Sequence, residues 1–295
     1  MTTNNPDRRD LLLGGGVGLA AAGLVAGGAT ALNPAKAVAQ SSGDSLLRKV
    51  LDRGKVLVGT GSTNAPWHFE DENGKLVGMD IAMAHILAKG LFDDEEAVEF
   101  VQQDPAARIP NINTGKVDIV IQFMTVTPAR AQLVAFTRPY YVEGIALLSR
   151  PDGERKTGEE LLSGGSNTNV SILQNVDAEK NVHDVLPESR VMMLDTQANV
   201  VQALESRRVD AAAVDLSTVR WLVKRQPDRY FDSGVRWASM LYSAAVRHGD
   251  PDWLTFVDAT FDVAMHGHQN EIFDSAFSNF FGEEIPQRQT GFPPI

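Results

Sequence analysis

The sequence predicts an α/β protein with two similar lobes, and three observations lead to that prediction. The chain has 295 residues, of which 43% are hydrophobic and 22% charged, enough for two globular domains of about 100 to 130 residues each. Residues 116–122 form a basic-Val-Asp turn followed by a short apolar strand that ends on a polar side chain. Residues 208–215 repeat that pattern. Two such units predict two α/β lobes that face each other.

The first 39 residues predict an export signal. Arg8-Arg9 precede an apolar run, rich in glycine and alanine, that reaches Ala31. Small-residue cleavage sites then end at Ala37 and Ala39. The paired arginines favour the twin-arginine route, which exports proteins already folded. An uncleaved anchor helix is the alternative, and the glycines in the run disfavour it. We therefore expect a protein that is soluble in the periplasm after removal of residues 1–39.

Composition argues against several classes of protein. The chain has no cysteine, so it has neither a disulfide framework nor a thiolate metal site. Its net charge is −11, and an acidic exported protein is a poor nucleic-acid binder. His266-Gly267-His268 has too few partners for a metal site and predicts a helix-ending turn. We expect no metal, no cofactor and no nucleic acid.

Strand and helix signals alternate along the rest of the chain. A composition shift at 150–165 predicts that the chain crosses between domains near 143–150. The turn signal at 71–74 predicts a hairpin, and Asp80 is the predicted N-cap of a helix. The predicted strands are 99–101, 119–121, 144–148, 170–173, 191–194, 211–214 and 239–246, and residues 54–59 predict a turn that leads into a further buried strand. The other predicted helices include 200–207, 216–223, 253–265 and 270–281.

Residues 125–130 predict an anion site. Thr127 and Pro128 supply an N-cap and a first-turn proline for a helix. Arg130 then occupies the third helical position, where the helix dipole and the unpaired backbone N–H groups favour negative charge. A carboxylate or phosphate bound at this terminus would contact both the guanidinium group and those N–H groups. The alternative is a solvated surface arginine, and the local sequence leaves both interpretations open.

Asp215 ends the second strand of the repeated pattern, opposite Arg130 in the predicted arrangement. Its carboxylate can hold an ammonium group. The competing role is the N-cap of the helix at 216–223, and two carboxylate oxygens allow both roles. The loop at 60–69 leaves the carboxyl end of a strand, where ligands bind in open α/β sheets. Trp67 and Phe69 in that loop are either core residues or ligand contacts.

Eight short motifs in a fixed order carry a resemblance to a known family. They are Gly54-Lys55-Val56-Leu57-Val58-Gly59, Gly74-Lys75-Leu76-Val77-Gly78-Met79-Asp80-Ile81, Arg108-Ile109-Pro110, Gly115-Lys116-Val117-Asp118, Thr125-Val126-Thr127-Pro128-Ala129-Arg130, Phe136-Thr137-Arg138-Pro139-Tyr140-Tyr141, Val209-Asp210-Ala211 and Phe280-Phe281-Gly282. From residue 44 to residue 282 the chain resembles the periplasmic solute-binding proteins of amino-acid ABC importers, family 3 of the bacterial extracellular solute-binding proteins.

The resemblance implies a type II periplasmic-binding-protein fold, an α/β fold with two lobes, two hinge strands and a central cleft. Lobe 1 would comprise residues 44–144 plus 239–295, and lobe 2 residues 145–238. Such a protein closes around one free α-amino acid and delivers it to the permease subunits of an ABC transporter. It acts as a monomer, needs no cofactor and catalyses no reaction.

The resemblance also implies a set of binding residues. The position of Arg130 pairs with the ligand α-carboxylate, and Thr125 and the backbone at Gln122 and Phe123 bind the same end. The position of Asp215 takes the α-ammonium group. The candidates for recognition of the ligand side chain are Gly61, Asn64, Trp67, His68 and Asp177.

Two departures from the family pattern affect the side-chain half of the predicted pocket. Many members have Asp at the position of Gly61 and an aromatic residue at that of Asn64, so a basic amino acid is the less expected ligand. In the second lobe, Asn175-Val176-Asp177 replaces a Gly-Thr-Thr turn.

Two alternatives have other functions. One is an exported lyase on the same fold, similar to cyclohexadienyl dehydratase, with Asp177 or Glu179 as the general acid that it requires. Sequence spacing places no histidine or carboxylate pair at the site, which disfavours this lyase. The other is a sensor module.

Overall fold

The computed structural model describes residues 45–174, 178–267, 270–282 and 285. The predicted export signal at 1–39 and the candidate Asp177 lie outside these residues. Their predicted roles therefore remain predictions.

The first half of the chain alternates short strands and helices. Its elements are α1 (Leu46–Arg53), β1 (Val56–Thr60), β2 (Thr63–Asn64), β3 (His68–Glu70), β4 (Leu76–Val77), α2 (Met79–Phe92), β5 (Val98–Gln102), α3 (Arg108–Thr114), β6 (Ile119–Thr125), α4 (Pro128–Ala131), β7 (Ala135–Phe136) and β8 (Tyr141–Ser149).

The second half repeats the alternation and ends on two longer helices. Its elements are α5 (Gly158–Ser163), β9 (Asn169–Leu173), α6 (Ala178–His183), β10 (Arg190–Leu194), α7 (Gln197–Glu205), β11 (Ala211–Asp215), α8 (Leu216–Arg225), β12 (Phe231–Val246), α9 (Pro251–His266) and α10 (Glu271–Phe281). The two strands of the repeated sequence pattern are β6 and β11, as predicted.

A mixed sheet runs through the described part of the protein in the order β10-β9-β11-β8-β12-β6-β1-β5, with β7 also paired to β12. The pairs β1–β5, β1–β6, β9–β10 and β9–β11 are parallel. Strands β8 and β12 are antiparallel to their neighbours and join the two parallel halves. A small antiparallel sheet, β2-β3-β4, contains the predicted hairpin.

Each half of the sheet is covered by apolar side chains on both faces. In the half that contains β1 and β6, one cluster includes Val58, Met83 and Trp253, and the other includes Val120 and Met124. The half that contains β9 and β11 has two further clusters. The protein is thus an α/β fold with two lobes, as the sequence predicted. The lobe boundaries at 144–145 and 238–239 remain predictions.

Helix α2 begins one residue before the predicted N-cap. Its N-cap is Gly78, and Asp80 is the second helical residue. A Cβ on Gly78, which has a φ of +133°, would lie 2.1 Å from the carbonyl oxygen of Trp67. Only glycine fits this close approach. The side chain of Asp80 is therefore available for tertiary contacts.

Strand β12 is longer than predicted. It begins at Phe231 rather than at residue 239. Its pairing with β8 shifts register twice, between Asp232 and Arg236 and again between Trp237 and Met240. Gly234 has a φ of +81°. These irregularities interrupt the period of two by which a strand is recognised in a sequence.

Candidate functional site

The chain turns at the carboxyl end of β6 as the sequence predicted. Thr127 is the N-cap of α4, its hydroxyl accepts a hydrogen bond from the Arg130 N–H at 3.2 Å, and Pro128 is the first helical residue. Helix α4 has only four residues, so few peptide dipoles are aligned to favour an anion. The positive charge of this corner comes from the Arg130 guanidinium, whose Nη1 donates to the carbonyl oxygen of Thr125 at 2.8 Å.

A second arginine lies beside it. The buried Arg108 donates from Nη1 to the carbonyl oxygen of Gln122 at 3.2 Å, and its guanidinium lies 5.6 Å from the centre of the Phe123 ring. Burial, and then the charge of Arg130, lower the pKa of Arg108 to about 10. Burial also lowers the pKa of Arg130. Neither arginine forms an ion pair with a carboxylate among the residues that the structure describes. Two cations without acidic partners make this corner suitable for an anion.

Gln122 and Phe123 use their polar groups within the protein. The buried Gln122 side chain exchanges hydrogen bonds with Gln103, donating to its carbonyl oxygen at 3.2 Å and accepting from its Nε2 at 3.1 Å. The Phe123 N–H donates to Asp80 Oδ2 at 2.9 Å. Since the Gln122 carbonyl also accepts from Arg108, both backbone groups have protein partners. Of the four members of the predicted anion site, Gln122 is buried and Phe123, Thr125 and Arg130 are partly exposed.

Asp80 joins three segments in the interior. Besides the Phe123 N–H, it accepts a hydrogen bond from the Tyr140 hydroxyl at 2.7 Å, and its Oδ2 lies 2.8 Å from His68 Nδ1. The His68 ring is stacked on Phe123, with 4.7 Å between centroids and 9° between planes. A Cβ on Gly61 would lie 2.7 Å from His68 Cδ2. The candidates His68 and Gly61 are therefore packed against the residues that shape the end of β6.

Trp67 is a core residue in this structure. It is 1% exposed and contacts the rings of Tyr141 and Phe281, among others. Its Nε1 donates to Ser217 Oγ at 2.9 Å, which ties the 60–69 loop to the first turn of α8. Asn64 lies beside His68, with 3.2 Å between Nδ2 and Nε2. The candidates for recognition of the ligand side chain therefore lie within the aromatic core or directly beside it. In the described part of the chain these are Gly61, Asn64, Trp67 and His68.

Asp215 does not cap helix α8. It occupies the N-cap position but makes no side-chain capping bond, so the capping role proposed from the sequence is wrong. Its Oδ2 accepts a hydrogen bond from the Tyr242 hydroxyl at 2.9 Å instead. Burial raises the pKa of Asp215 to about 6, and the Tyr242 hydrogen bond acts in the opposite direction.

A second carboxylate, Glu143 on β8, lies near Asp215 and was missed in the sequence. It is 2% exposed and accepts hydrogen bonds from Ser217 Oγ at 2.5 Å, from Ser217 N at 3.3 Å and from Gly144 N at 2.9 Å. Burial, and then the negative charge of Asp215, raise its pKa to about 8. The structure therefore brings together a carboxylate pair that the spacing in the sequence did not place at the site. The available signal was a glutamate in phase with the inward residues Ile145 and Leu147.

Strand register brings the polar groups together. Asp215 is paired with Ile145, and Glu143 lies two residues earlier on the same face of β8. Tyr242 of β12 is paired with Tyr141 on one side and with Thr125 on the other. Since directly paired residues point to the same face of a sheet, Thr125, Tyr242, Glu143 and Asp215 share one face where the two halves meet.

Comparison with known proteins identifies the family. The family model described as bacterial extracellular solute-binding proteins, family 3, matches residues 56–279. The chain belongs to this family. The resemblance inferred from the ordered sequence motifs is thereby confirmed.

Individual proteins of known name are similar over most of the chain. The chain is 30% identical to the glutamine-binding protein of Geobacillus stearothermophilus over 195 residues, which are 66% of this chain and 73% of that protein. It is 27% identical to the L-cystine-binding protein TcyJ of Escherichia coli over 261 residues, 87% of this chain and 94% of that protein. The crystal structure of an ancestral amino acid-binding protein, AncCDT-1, a precursor of cyclohexadienyl dehydratase, has a TM-score of 0.67 at 29% identity and covers 80% of this chain and 100% of that chain.

Three further features of this family 3 protein concern a metal site, a membrane-spanning helix and the general-acid candidate Glu179. In the described part of the chain, no group of three or more His, Cys, Asp or Glu side chains could hold a metal ion. Among the helices within the described residues, none has the length and apolar character of a membrane span. Glu179, a general-acid candidate of the lyase alternative, is exposed on α6.

Proposed function

We propose that this protein binds a free α-amino acid outside the cytoplasm and delivers it to the permease of an ABC importer. One observation carries the proposal: two sites of opposite charge lie at the ends of the equivalent strands β6 and β11. At β6, Arg108 and Arg130 have no carboxylate partner among the described residues. At β11, Asp215 accepts its hydrogen bond from a neutral donor, Tyr242.

An α-amino acid matches this pair of sites because its carboxylate and ammonium groups are separated by one carbon. The guanidinium of Arg130 would pair with the carboxylate, and Thr125 would contact the same end. Asp215 would accept from the ammonium group. Each charge-assisted hydrogen bond formed in this way contributes about 1.5 to 3 kcal/mol.

Tyr242 supports the pairing of the two sites in one cleft. Its hydroxyl donates to Asp215 at 2.9 Å. It is also near enough to Arg130 for the phenol group to influence the pKa of the guanidinium. A ligand that spans the space beside Tyr242 would reach both charges.

The relatives support the class of ligand. The two curated relatives compared above are named for binding glutamine and L-cystine. Closure would occur by bending of β8 and β12, the strands that join the two halves of the sheet, and the ligand would select the closed state. We further propose that the protein is exported to the periplasm, acts there as a monomer and presents the closed form to the permease.

The first test is a thermal-shift screen with the twenty common L-amino acids, since a compound that binds only the folded state raises the melting temperature. Calorimetry on the compounds found then compares the wild-type protein with Arg130→Ala. We expect the variant to lose at least about 100-fold in affinity, because both hydrogen bonds to the carboxylate disappear. Arg48→Ala, at an exposed arginine of α1, is the matched control and keeps the wild-type affinity. Equal affinity in Arg130→Ala and wild type would contradict the carboxylate site.

A second function, elimination catalysed by a lyase, is favoured by one observation. Glu143, with its pKa raised to about 8, carries a proton at neutral pH and has the chemistry of a general acid. Incubation of the purified protein with prephenate and with arogenate tests this function directly. Turnover that Glu143→Gln abolishes would replace the receptor proposal with the enzymatic one.

A further inference from the structure

The buried carboxylate of Glu143 and the partly buried carboxylate of Asp215 form a cluster that the anion site does not use. The hydrogen bonds that Glu143 accepts come from the side chain and backbone of Ser217 and from the Gly144 N–H. Asp215 accepts from the Tyr242 hydroxyl. All of these donors are neutral. Buried carboxylates are ordinarily paired with a cation, so the cluster lacks the kind of partner that it needs.

We propose that Glu143 and Asp215 together form the cation-binding half of the ligand site, and that an ammonium group enters it in exchange for one proton. This inference rests on the proposed function, since the ammonium group is that of the bound amino acid. It adds Glu143, a residue of the central strand β8, to the binding site. It also adds a proton to the binding equilibrium.

The strand register supports the pairing of the two carboxylates. Asp215 lies opposite Ile145, so Glu143, two residues before Ile145, is its diagonal neighbour on the same face of the sheet. Diagonal neighbours of an antiparallel pair have Cβ atoms about 7 to 8 Å apart, within reach of one another for long side chains. An ammonium group with three donors can bind both carboxylates from between them.

The groups around Glu143 explain why its carboxyl group holds a proton in the ligand-free protein. Asp215 on β11 and Tyr242 on β12 are the titratable groups beside it, and helix α8 contributes the Ser217 donors. Beyond Tyr242 lie Arg130 and Tyr140. Two neighbouring carboxylates repel each other when both are ionised, and the burial of Glu143 further disfavours its charged form. Consistent with this arrangement, the pKa of Glu143 is raised to about 8 and that of Asp215 to about 6.

Binding of the ammonium group and release of the proton leave the net charge of the site unchanged. Before binding, the pair carries one proton and one negative charge near pH 7. The ammonium group brings one positive charge, which favours ionisation of both carboxylates. The proton of Glu143 then leaves to solvent, and the occupied site holds two carboxylates and one ammonium group. Binding that releases a proton becomes tighter as pH rises, by up to about tenfold per pH unit.

The experiment has one arm that needs no ligand. Infrared difference spectra of the ligand-free protein, titrated with alkali from about pH 6 to about pH 9, should show loss of a carboxylic-acid C=O band with a midpoint of about 8. Glu143→Gln should lack this band and keep only the Asp215 band, whose midpoint is about 6. The amide that this substitution introduces keeps an acceptor for the Ser217 hydroxyl. If this variant does not fold, the titration of the wild-type band decides the same question. A protein without a carboxylic acid that titrates near pH 8 overturns the inference.

The second arm measures proton release on binding. Each amino acid that raises the melting temperature is titrated by calorimetry in two buffers of equal pH and different ionisation enthalpy. We expect wild type to release about one proton near pH 7, Glu143→Gln to release almost none, and the control Glu159→Gln, at an exposed position of α5, to match wild type. Equal release by wild type and Glu143→Gln overturns the inference while leaving the proposed function intact. An empty amino-acid screen contradicts the proposed function instead, and the infrared arm still decides whether the carboxylates share a proton.

Discussion

Asp80 is the residue on which the shape of the anion corner depends. It is fully buried and satisfies the Phe123 N–H, the Tyr140 hydroxyl and the His68 ring. We expect Asp80→Ala to lower the free energy of unfolding by about 3 kcal/mol or more, because it leaves buried donors unsatisfied, and each costs about 1 to 3 kcal/mol. Urea denaturation monitored by tryptophan fluorescence measures this change.

Two variants separate the role of this carboxylate from a general effect of losing an aspartate. Tyr140→Phe removes one of the donors to Asp80, and we expect it to cost about 1 kcal/mol. Asp52→Ala, at an exposed position of α1, should leave the unfolding free energy within about 0.5 kcal/mol of wild type. If Asp80→Ala behaves like Asp52→Ala, the buried network has no structural role.

At the residue scale, the sequence predicts the parts of the site that depend on local chemistry. Thr127, Pro128 and Arg130 lie within four positions, and their capping arrangement follows from known preferences at helix termini. Glu143 and Arg108 were missed because their roles depend on residues distant in the chain. Glu143 becomes unusual only when β11 places Asp215 beside it. Arg108 becomes unusual only when it packs against Phe123.

Helix α2 begins where the backbone of the preceding loop passes very close to it. Gly78 has a φ of +133°, and a Cβ there would lie 2.1 Å from the Trp67 carbonyl oxygen. Gly74 also has a positive φ, +74°, but a Cβ there would meet no atom within 4 Å. Alanine at position 74 would therefore add backbone strain alone, whereas alanine at position 78 would add both backbone strain and a steric clash.

We predict different costs for alanine at these two positions. Gly74→Ala should lower the free energy of unfolding by about 1 to 2 kcal/mol, the cost of a left-handed conformation for an L-residue. Gly78→Ala should cost more, because the loop that carries Trp67 must also move away from α2. Thermal denaturation of both variants measures the difference. Equal melting temperatures would show that the loop moves without cost.

At the element scale, prediction succeeded where an element is regular and failed where tertiary contacts extend or shorten it. Strands β6 and β11 were found from their short apolar runs. Strand β12 was predicted too short because Gly234 and two register shifts break its alternation. Helix α4 was expected to orient a dipole, but it ends after one turn. Strand β12 is stabilised by its pairing with β6 and β8. These strands are distant in the sequence, so no local sequence pattern predicts the pairing.

At the scale of the whole molecule, the two halves supply opposite charges to the region where they meet. The half that contains β6 contributes Arg108 and Arg130, and β11 of the other half contributes Asp215. Glu143 lies on β8, between these groups. Because these charges belong to different parts of the chain, a zwitterionic ligand would pair with the positive charge of one half and the negative charge of the other at the same time. This coupling offers a physical reason for the ligand to favour a closed state.

The paired carboxylates also make the stability of the whole molecule depend on pH. The pKa of Glu143 is raised from 4.5 to about 8 in the folded protein, so the folded state binds this proton more tightly than the unfolded chain does. The contribution is complete below the unfolded pKa near 4.5 and is lost as pH rises toward 8. Its slope is at most about 1.4 kcal/mol per pH unit. Asp215 acts in the same direction, but its contribution ends near its folded pKa of about 6.

We therefore expect the ligand-free wild-type protein to lose up to about 2 kcal/mol of unfolding free energy between about pH 6 and about pH 8. Glu143→Gln should show a smaller loss in this window, because only Asp215 of the pair still titrates and its pKa lies at the lower edge. Urea denaturation at several pH values measures both curves, and histidines and other groups shared by the two proteins cancel in their difference. A saturating amino acid should flatten the wild-type curve, because binding displaces the same proton and becomes tighter as pH rises. Parallel curves for wild type and Glu143→Gln would show that Glu143 is ionised throughout, and the shared proton would then be absent.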